Sequence, residues 1–317
     1  MTEAHGANGR VEARLEYQPY CFRNSIQGLN VNDAEDWERK VLIGIIWSSL
    51  ARYYYFMTAS SWGTWHHELH LEEAMGLPIR FPQDTELRSE IVDVVNTLMN
   101  WPVFTGQNPL ELQKQVAPLE RRLDNAIFEL YELAEAERDL VLDLCEVNLE
   151  FLYRHRKSYA AQPLERYPLA PQGTINDLPA DREHEKGLEG YLYTFLKFWN
   201  RFIPEGEFRW RVIRPSRVPM IAVVFTTQEV GDILPSTTTT DDEEWHEALK
   251  QCSDALKQPV SRRIYVDSMV RVVTDTEIYI IKRDERRLWT RSMVCEDAEG
   301  TLVRAMHLQE EAMEGMV

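Results

Sequence analysis

The stretch Glu207-Phe208-Arg209-Trp210-Arg211-Val212-Ile213 and, a little further on, Pro219-Met220-Ile221-Ala222-Val223-Val224-Phe225-Thr226 decide the fold class. The first run alternates polar and apolar side chains, the pattern of a strand with one buried face. The second is a continuous apolar run of strand length, the pattern of a more deeply buried strand. Arg262–Thr274 and Glu277–Arg283 read as two further strands paired around Asp275-Thr276, a hairpin turn. Helical patterns surround them: the aromatic segment Gly190–Phe202, the short Glu243–Leu256, and a closing helix over Cys295–Met306. The second half therefore predicts an α+β unit with antiparallel strands.

Outward from there, the first half is mainly helical. Tyr20–Leu29 reads as a strand plus turn. Asn32 or Asp33 offers an N-cap, and Trp37–Met57 follows as one long helix that stops at Thr58-Ala59-Ser60-Ser61-Trp62-Gly63. Asp84–Trp101 is a second helix, ended by Pro102. Pro109–Leu133 is a third, with Pro118 expected to kink or restart it. Ala134–Tyr153 is a fourth. Tyr53, Tyr54, Tyr55 and Phe56 occupy four consecutive helical positions and cannot all face one core. Proline-rich Gln162–Glu183 reads as a linker, an ordered or mobile connection rather than an element, and the polar, acidic run Gly231–Glu244 as a loop or disordered insertion. The division expected is residues 1–165, a linker at 166–189, and 190–317.

Composition narrows the function classes. The chain has 317 residues, 35 Lys and Arg against 52 Asp and Glu, and a net charge of −17. Such a balance opposes a nucleic-acid coat over the whole surface but leaves room for a local basic face. Its hydrophobic content of 44% excludes bulk disorder. The most apolar window, Val41–Leu50, is too short to span a bilayer, so no membrane partner is expected. The first ten residues lack an apolar signal-peptide core. Four widely spaced cysteines exclude a Cys-x-x-Cys site and suit a reducing cytoplasm.

Spacing limits the candidate chemistry. His66-His67-Glu68-Leu69-His70 is close to His-Glu-x-x-His, but the residue four past His67 is Leu71, so the two imidazoles of a zinc helix are missing. Polar surface histidines, or histidines that contact a polymer, are the preferred reading, and no metal is expected. Asp275, Glu277 and Lys282 contain the residue types of a metal-dependent nuclease. Glu277 and Lys282 are five positions apart, which puts them on opposite faces of a strand. Neither Gly-x-Gly-x-x-Gly nor a Walker lysine is present, and Asn108-Pro109 is followed by Leu110 rather than Pro-aromatic. No cofactor and no catalytic residue are therefore expected. Two clusters are basic. Arg201, Arg209, Arg211, Arg214 and Arg217 accompany Trp199 and Trp210. Around the hairpin, Arg262, Arg263, Arg271, Lys282, Arg283, Arg286, Arg287 and Arg291 outnumber Asp267, Asp275, Glu277, Asp284 and Glu285, with Tyr265, Tyr279 and Trp289 among them. Basic groups interleaved with aromatics suit a nucleic-acid backbone; salt-bridged surface strands have the same composition.

The run Ile45-Ile46-Trp47-Ser48-Ser49-Leu50-Ala51-Arg52-Tyr53-Tyr54-Tyr55-Phe56, then Thr58-Ala59-Ser60-Ser61-Trp62-Gly63, then Leu71-Glu72-Glu73-Ala74-Met75-Gly76-Leu77-Pro78-Ile79 resembles the target-recognition region of adenine-N6 DNA methylases. These are the methylases of type IIG restriction–modification and phage-defence systems. Phe22–Leu29 is similar to the preceding strand, and Leu119–Leu133 with Ala134–Arg138 to the closing segment, so the resemblance covers about residues 10–155. Trp47 stands where the family usually has Asn. In that family a catalytic methylase domain precedes this region, and the resemblance leads to the expectation that it is not part of this chain. The resemblance thus implies a detached specificity-like subunit whose methylase or nuclease partner is another polypeptide.

Three functions follow as expectations. The first is a non-catalytic DNA-recognition subunit of a restriction or phage-defence complex, with base edges read near Ser60, Ser61, Trp62, His66 and His67, and phosphates held by Arg52, Arg271, Lys282, Arg283, Arg286 and Arg287. The second is a protein-interaction scaffold of such a complex without DNA binding. The third is a metal-dependent nuclease using Asp275 and Glu277.

Overall fold

The computed structural model describes residues 11, 13–18, 21, 28–60, 69–102, 108–179, 187–203, 206–228, 241–260, 264 and 269–314. The architecture is α+β: residues 36–199 are mostly helical, and a five-stranded antiparallel sheet with helices forms the C-terminal part. The chain divides into two compact units, 1–145 and 146–317. Among the described residues, no helix is long and apolar enough to cross a membrane.

In the first unit, α1 (Asp36–Trp47) and α2 (Ser49–Thr58) replace the single helix expected over Trp37–Met57. Ser48 breaks it. Its backbone is extended at φ −69° and ψ 157°, its Oγ accepts from the Ala51 N–H, and the same hydroxyl donates to the Ile45 carbonyl at 2.6 Å. One serine thus closes one helix and caps the next. Buried Asp124 completes the N-terminus of α2: its carboxylate accepts from the Ser49 N–H at 2.6 Å and the Ser49 hydroxyl at 2.8 Å. A negative charge is favourable at that end of a helix. Next come α3 (Leu71–Met75) and α4 (Thr85–Met99), the latter capped by Asp84. Then α5 (Pro109–Leu130) passes through Pro118 as one helix, where the sequence predicts a kink or restart. Gly44 lets α1 approach closely, since a Cβ there would lie 3.1 Å from both Ile91 and Val95. The core is built from Val41, Ile45, Ile91, Val95, Leu123 and Ile127.

The helix expected over Ala134–Tyr153 is interrupted. It runs as α6 (Glu135–Asp143), a π-turn at Leu144–Asn148, and α7 (Leu149–Arg154). The division between the units falls in this π-turn, earlier than the proline-rich stretch that reads as a linker. That stretch, over its described part 162–179, packs into the second unit. Leu164 and Leu178 are core residues, and the Trp210 indole N–H donates to the Thr174 carbonyl at 2.9 Å.

The second unit is a sheet between helices. Its strands are β1 (Gln172–Gly173), β2 (Glu207–Ile213), β3 (Met220–Gln228), β4 (Met269–Val273) and β5 (Glu277–Arg283), in the order β1-β2-β3-β5-β4. The β4–β5 hairpin turns at Asp275-Thr276, as its spacing predicts. Alternation sorts side chains onto two faces. Phe208, Trp210, Val223, Phe225 and Ile280 pack against α8 (Leu188–Trp199) and α10 (Arg291–Glu314); the Phe195 and Phe225 rings stack at 3.9 Å. Ile213, Val224, Val270 and Ile281 pack against α9 (Asp241–Leu256), through Trp245, Ala248 and Cys252. Burial raises the Cys252 thiol pKa to about 12. Cys145 is also buried, Cys295 is half-buried and Cys21 is exposed; all four are free thiols.

Candidate nucleic-acid interface

One end of the sheet in the second unit gathers cations. Here β2 turns into β3 through Arg214-Pro215-Ser216-Arg217-Val218-Pro219, and β5 leads into a 3₁₀ turn at Arg286–Leu288. Asp284 ties three segments together at this end. Its backbone N–H donates to the Pro219 carbonyl at 2.9 Å, and its carboxylate accepts from the Leu164 N–H at 3.0 Å and the Tyr167 hydroxyl at 2.7 Å. The Arg286 N–H adds a bond to the Gln162 carbonyl at 3.0 Å. Burial, and then the bond to Asp284, raise the Tyr167 pKa, so its hydroxyl stays a donor.

On this frame three guanidinium groups lie over aromatic rings: Arg214 over Tyr167 at 3.5 Å, Arg286 over Tyr159 at 3.8 Å, and Arg287 over Phe151 at 4.4 Å. Stacking uses one face of a guanidinium plane and leaves its N–H groups able to serve phosphate oxygens, although the Arg287 Nε is given to Glu285 at 2.8 Å. Tyr159 starts the second of two short 3₁₀ turns, His155–Lys157 and Tyr159–Ala161, joined at buried Ser158. The Tyr159–Ala161 turn packs on the Arg286–Leu288 turn, and exposed Arg154, Arg156 and Lys157 directly precede the former in the chain. Arg166, Arg214, Arg217 and Arg283 are exposed as well. The nearby carboxylates are engaged. Glu285 accepts from Arg287 at 2.8 Å and pairs with Arg283 at 3.1 Å. Glu165 accepts from the Tyr159 hydroxyl, and Asp242 accepts from the Ser216 N–H and hydroxyl. Glu150 accepts from the Tyr159 N–H at 3.2 Å and pairs with Arg154 at 3.7 Å. In a chain of net charge −17, cations still outnumber carboxylates at this end.

The structure sorts the residues singled out by sequence. Arg283, Arg286 and Arg287 belong to this face. Lys282 does not: it is fully buried, its ammonium bonded to the Asp297 carboxylate and, at 3.0 Å, to the Leu288 carbonyl. It projects toward α8 and α10, opposite to Arg283, so an expected phosphate contact is replaced by a core ion pair. Desolvation lowers its pKa while Asp297 opposes that shift. Arg271 lies on the same face of the sheet, with Nε 2.6 Å from Asp297 and Nη2 2.7 Å from Glu296. Two carboxylates engage its guanidinium, which stays a quarter exposed. Arg211 is on the α9 side, 3.6 Å from Glu244.

In the first unit, Arg52 is 8% exposed and donates to the Cys145 carbonyl at 2.9 Å, so it too is a structural residue rather than a surface contact. Tyr54 and Tyr55 donate to the Gly76 and Ala74 carbonyls, which holds the loop after α3 against α2. Ser60 is exposed, but its N–H and hydroxyl both donate to Glu73 at 2.7 Å; these bonds lower the Glu73 pKa. Ser61, Trp62, His66 and His67 lie outside the described residues, as do Arg262 and Arg263. His70 precedes α3 at its N-cap. Among the described residues, no group of three His, Cys, Asp or Glu is placed to hold a metal. Asp275 is exposed in the hairpin turn. Glu277 accepts from the Thr226 hydroxyl on the α9 face, away from Lys282.

Sequence reading missed Arg154, Arg156 and Lys157. The signal was available as three cations in four residues directly after Phe151-Leu152-Tyr153. What linear reading lacked was the packing of the turn after them on the Arg286–Leu288 turn, more than a hundred residues away. Set against known proteins, the chain matches no family model, and neither a curated protein nor a solved structure is significantly similar to it.

Proposed function

We propose that this protein is a non-catalytic DNA-binding subunit of a two-component restriction–modification or phage-defence complex, with bond-making carried out by a separate adenine-N6 methylase or nuclease. The observation that carries the DNA-binding part is the cationic sheet end: Arg286, Arg287 and Arg214 held on rings, together with exposed Arg154, Arg156 and Lys157. Cations on loops at one end, with the acidic excess elsewhere, can approach a polyanion that the whole surface would repel. Phosphate contacts of this kind position a protein on the duplex; base reading needs other groups. The resemblance of Ile45–Ile79 to a target-recognition region suggests the first unit for that task, and suggests a cytoplasmic complex. Binding of a mixed-sequence DNA duplex, measured by fluorescence anisotropy over a salt series with and without the catalytic partner, tests the proposal. Binding that weakens steeply between roughly 50 and 200 mM salt supports it. Absence of binding at low salt under both conditions rejects it.

The acidic total charge favours a second reading, a scaffold of the same complex that holds a protein partner and no DNA. Co-purification with the partner, free of nucleic acid and unable to bind the duplex, selects it.

A further inference from the structure

The cationic sheet end carries an apolar point. Leu169 is 104% exposed, as uncovered as in an extended peptide. A single exposed leucine is ordinary on a protein surface. This one is held in a stiff frame. Pro168 and Pro171 restrict the backbone on either side. The Pro171 carbonyl accepts from the Val212 N–H at 2.8 Å, and Gln172 and Gly173 then pair with β2. On the other side Tyr167 is held between the Asp284 carboxylate and the Arg214 guanidinium. Two cations of the face, Arg166 and Arg214, are within three residues of this frame or stacked on it.

Resting on the DNA-binding reading above, we propose that Leu169 is a wedge that enters a base-pair step of duplex DNA from the minor groove. The cations beside it hold the phosphates of that step. A rigid leucine or similar side chain inserted this way unstacks the step and bends the duplex, and the bend brings more phosphates to the basic surface. A flexible tip would lose that work to its own ordering, whereas the two prolines have already removed most of that freedom. Pyrimidine–purine steps deform most easily, so they are the favoured sites.

The test uses the full chain with duplexes that carry 2-aminopurine beside a central TA step and a donor–acceptor pair at the ends. Binding is expected to raise the 2-aminopurine fluorescence and shorten the end-to-end distance. Leu169→Ala should still bind at low salt yet lose both signals, while Leu169→Met keeps them. Because Leu169 is fully exposed, neither variant threatens the fold. Tight binding with no fluorescence rise, or an unchanged bend in Leu169→Ala, overturns the wedge and leaves the cationic face standing. Failure of every form to bind at low salt overturns both.

Discussion

Lys282 and Arg283 are adjacent in sequence, yet one is fully buried on Asp297 and the other exposed at the sheet end. The same contrast separates two sets of cations. Lys282 and Arg271 point toward α8 and α10 and meet Asp297 and Glu296. Arg283, Arg286 and Arg287 point out of the sheet end, and Arg154, Arg156 and Lys157 precede the turn that packs there. Strand parity separates Lys282 from Arg283, because a one-residue step along β5 reverses the face; Arg286 and Arg287 lie past β5, on the 3₁₀ turn. A basic cluster in sequence is thus two physical objects here. Lys282 belongs to the core and acts on stability; Arg271 is half-buried on Asp297 and Glu296, and Arg283, Arg286 and Arg287 act on long-range attraction.

The sharpest way to break this comparison is to remove the core cation. Lys282→Met leaves the buried Asp297 carboxylate with Arg271 and the Tyr191 hydroxyl alone. It is expected to cost about 3 kcal/mol in chemical denaturation, since the buried carboxylate loses the one of its two cations that is itself fully buried. A loss below about 1 kcal/mol would place Lys282 with the surface cations instead. The folded variant should keep the wild-type salt dependence of DNA binding.

The surface set should behave in the opposite way. Arg286→Ser with Arg287→Ser is expected to leave thermal stability nearly unchanged and to reduce the salt slope of duplex binding by roughly 2, about one for each phosphate left without its cation. A fall in stability with an unchanged slope would contradict the division. Glu285→Gln sharpens it from the other side. This carboxylate, 9% exposed, engages Arg283 and Arg287. Without its charge the two guanidinium groups are released toward the duplex, and affinity should rise severalfold at low salt, by anisotropy.

The smallest effect concerns acid. Asp242 accepts two bonds from Ser216 at the base of the loop that carries Arg214 and Arg217, and those bonds hold its pKa below the usual carboxylate value. A depressed folded pKa means the stabilisation is present above the unfolded value near 3.9 and fades as pH falls through the folded value. Wild type should therefore melt slightly above Asp242→Asn at neutral pH, and the two should converge as pH drops below about 4. A constant gap at all pH values would show that the bonds do not depend on ionisation.

Much of the fold could be read from periodicity. The β2 alternation, the β5 bounds Glu277–Arg283 and the hairpin at Asp275-Thr276 all follow from side-chain pattern. The departures have local causes that pattern does not carry. Ser48 breaks one helix into two because its hydroxyl serves both ends, and Asp124, seventy-five residues away, satisfies the new N-terminus. The Gln162–Pro179 stretch is rich in proline yet packs into the second unit, because Leu164, Leu178 and Thr174 meet partners from distant strands and turns. The candidate site was half legible for the same reason. Arg283, Arg286 and Arg287 were visible as a run. Lys282 and Arg271 were indistinguishable from them in composition, and Arg154–Lys157 joined them only through the packing of Tyr159 and Phe151.

The most direct measurement is the salt dependence of DNA-duplex binding by wild type and by a variant with Arg156, Lys157, Arg286 and Arg287 all changed to Ser, followed by anisotropy. The cationic-face account predicts a linear fall of log affinity with log salt in wild type. In the variant the slope should be shallower by roughly 3 to 4 while thermal stability stays near wild type. Equal slopes in two folded proteins would contradict it.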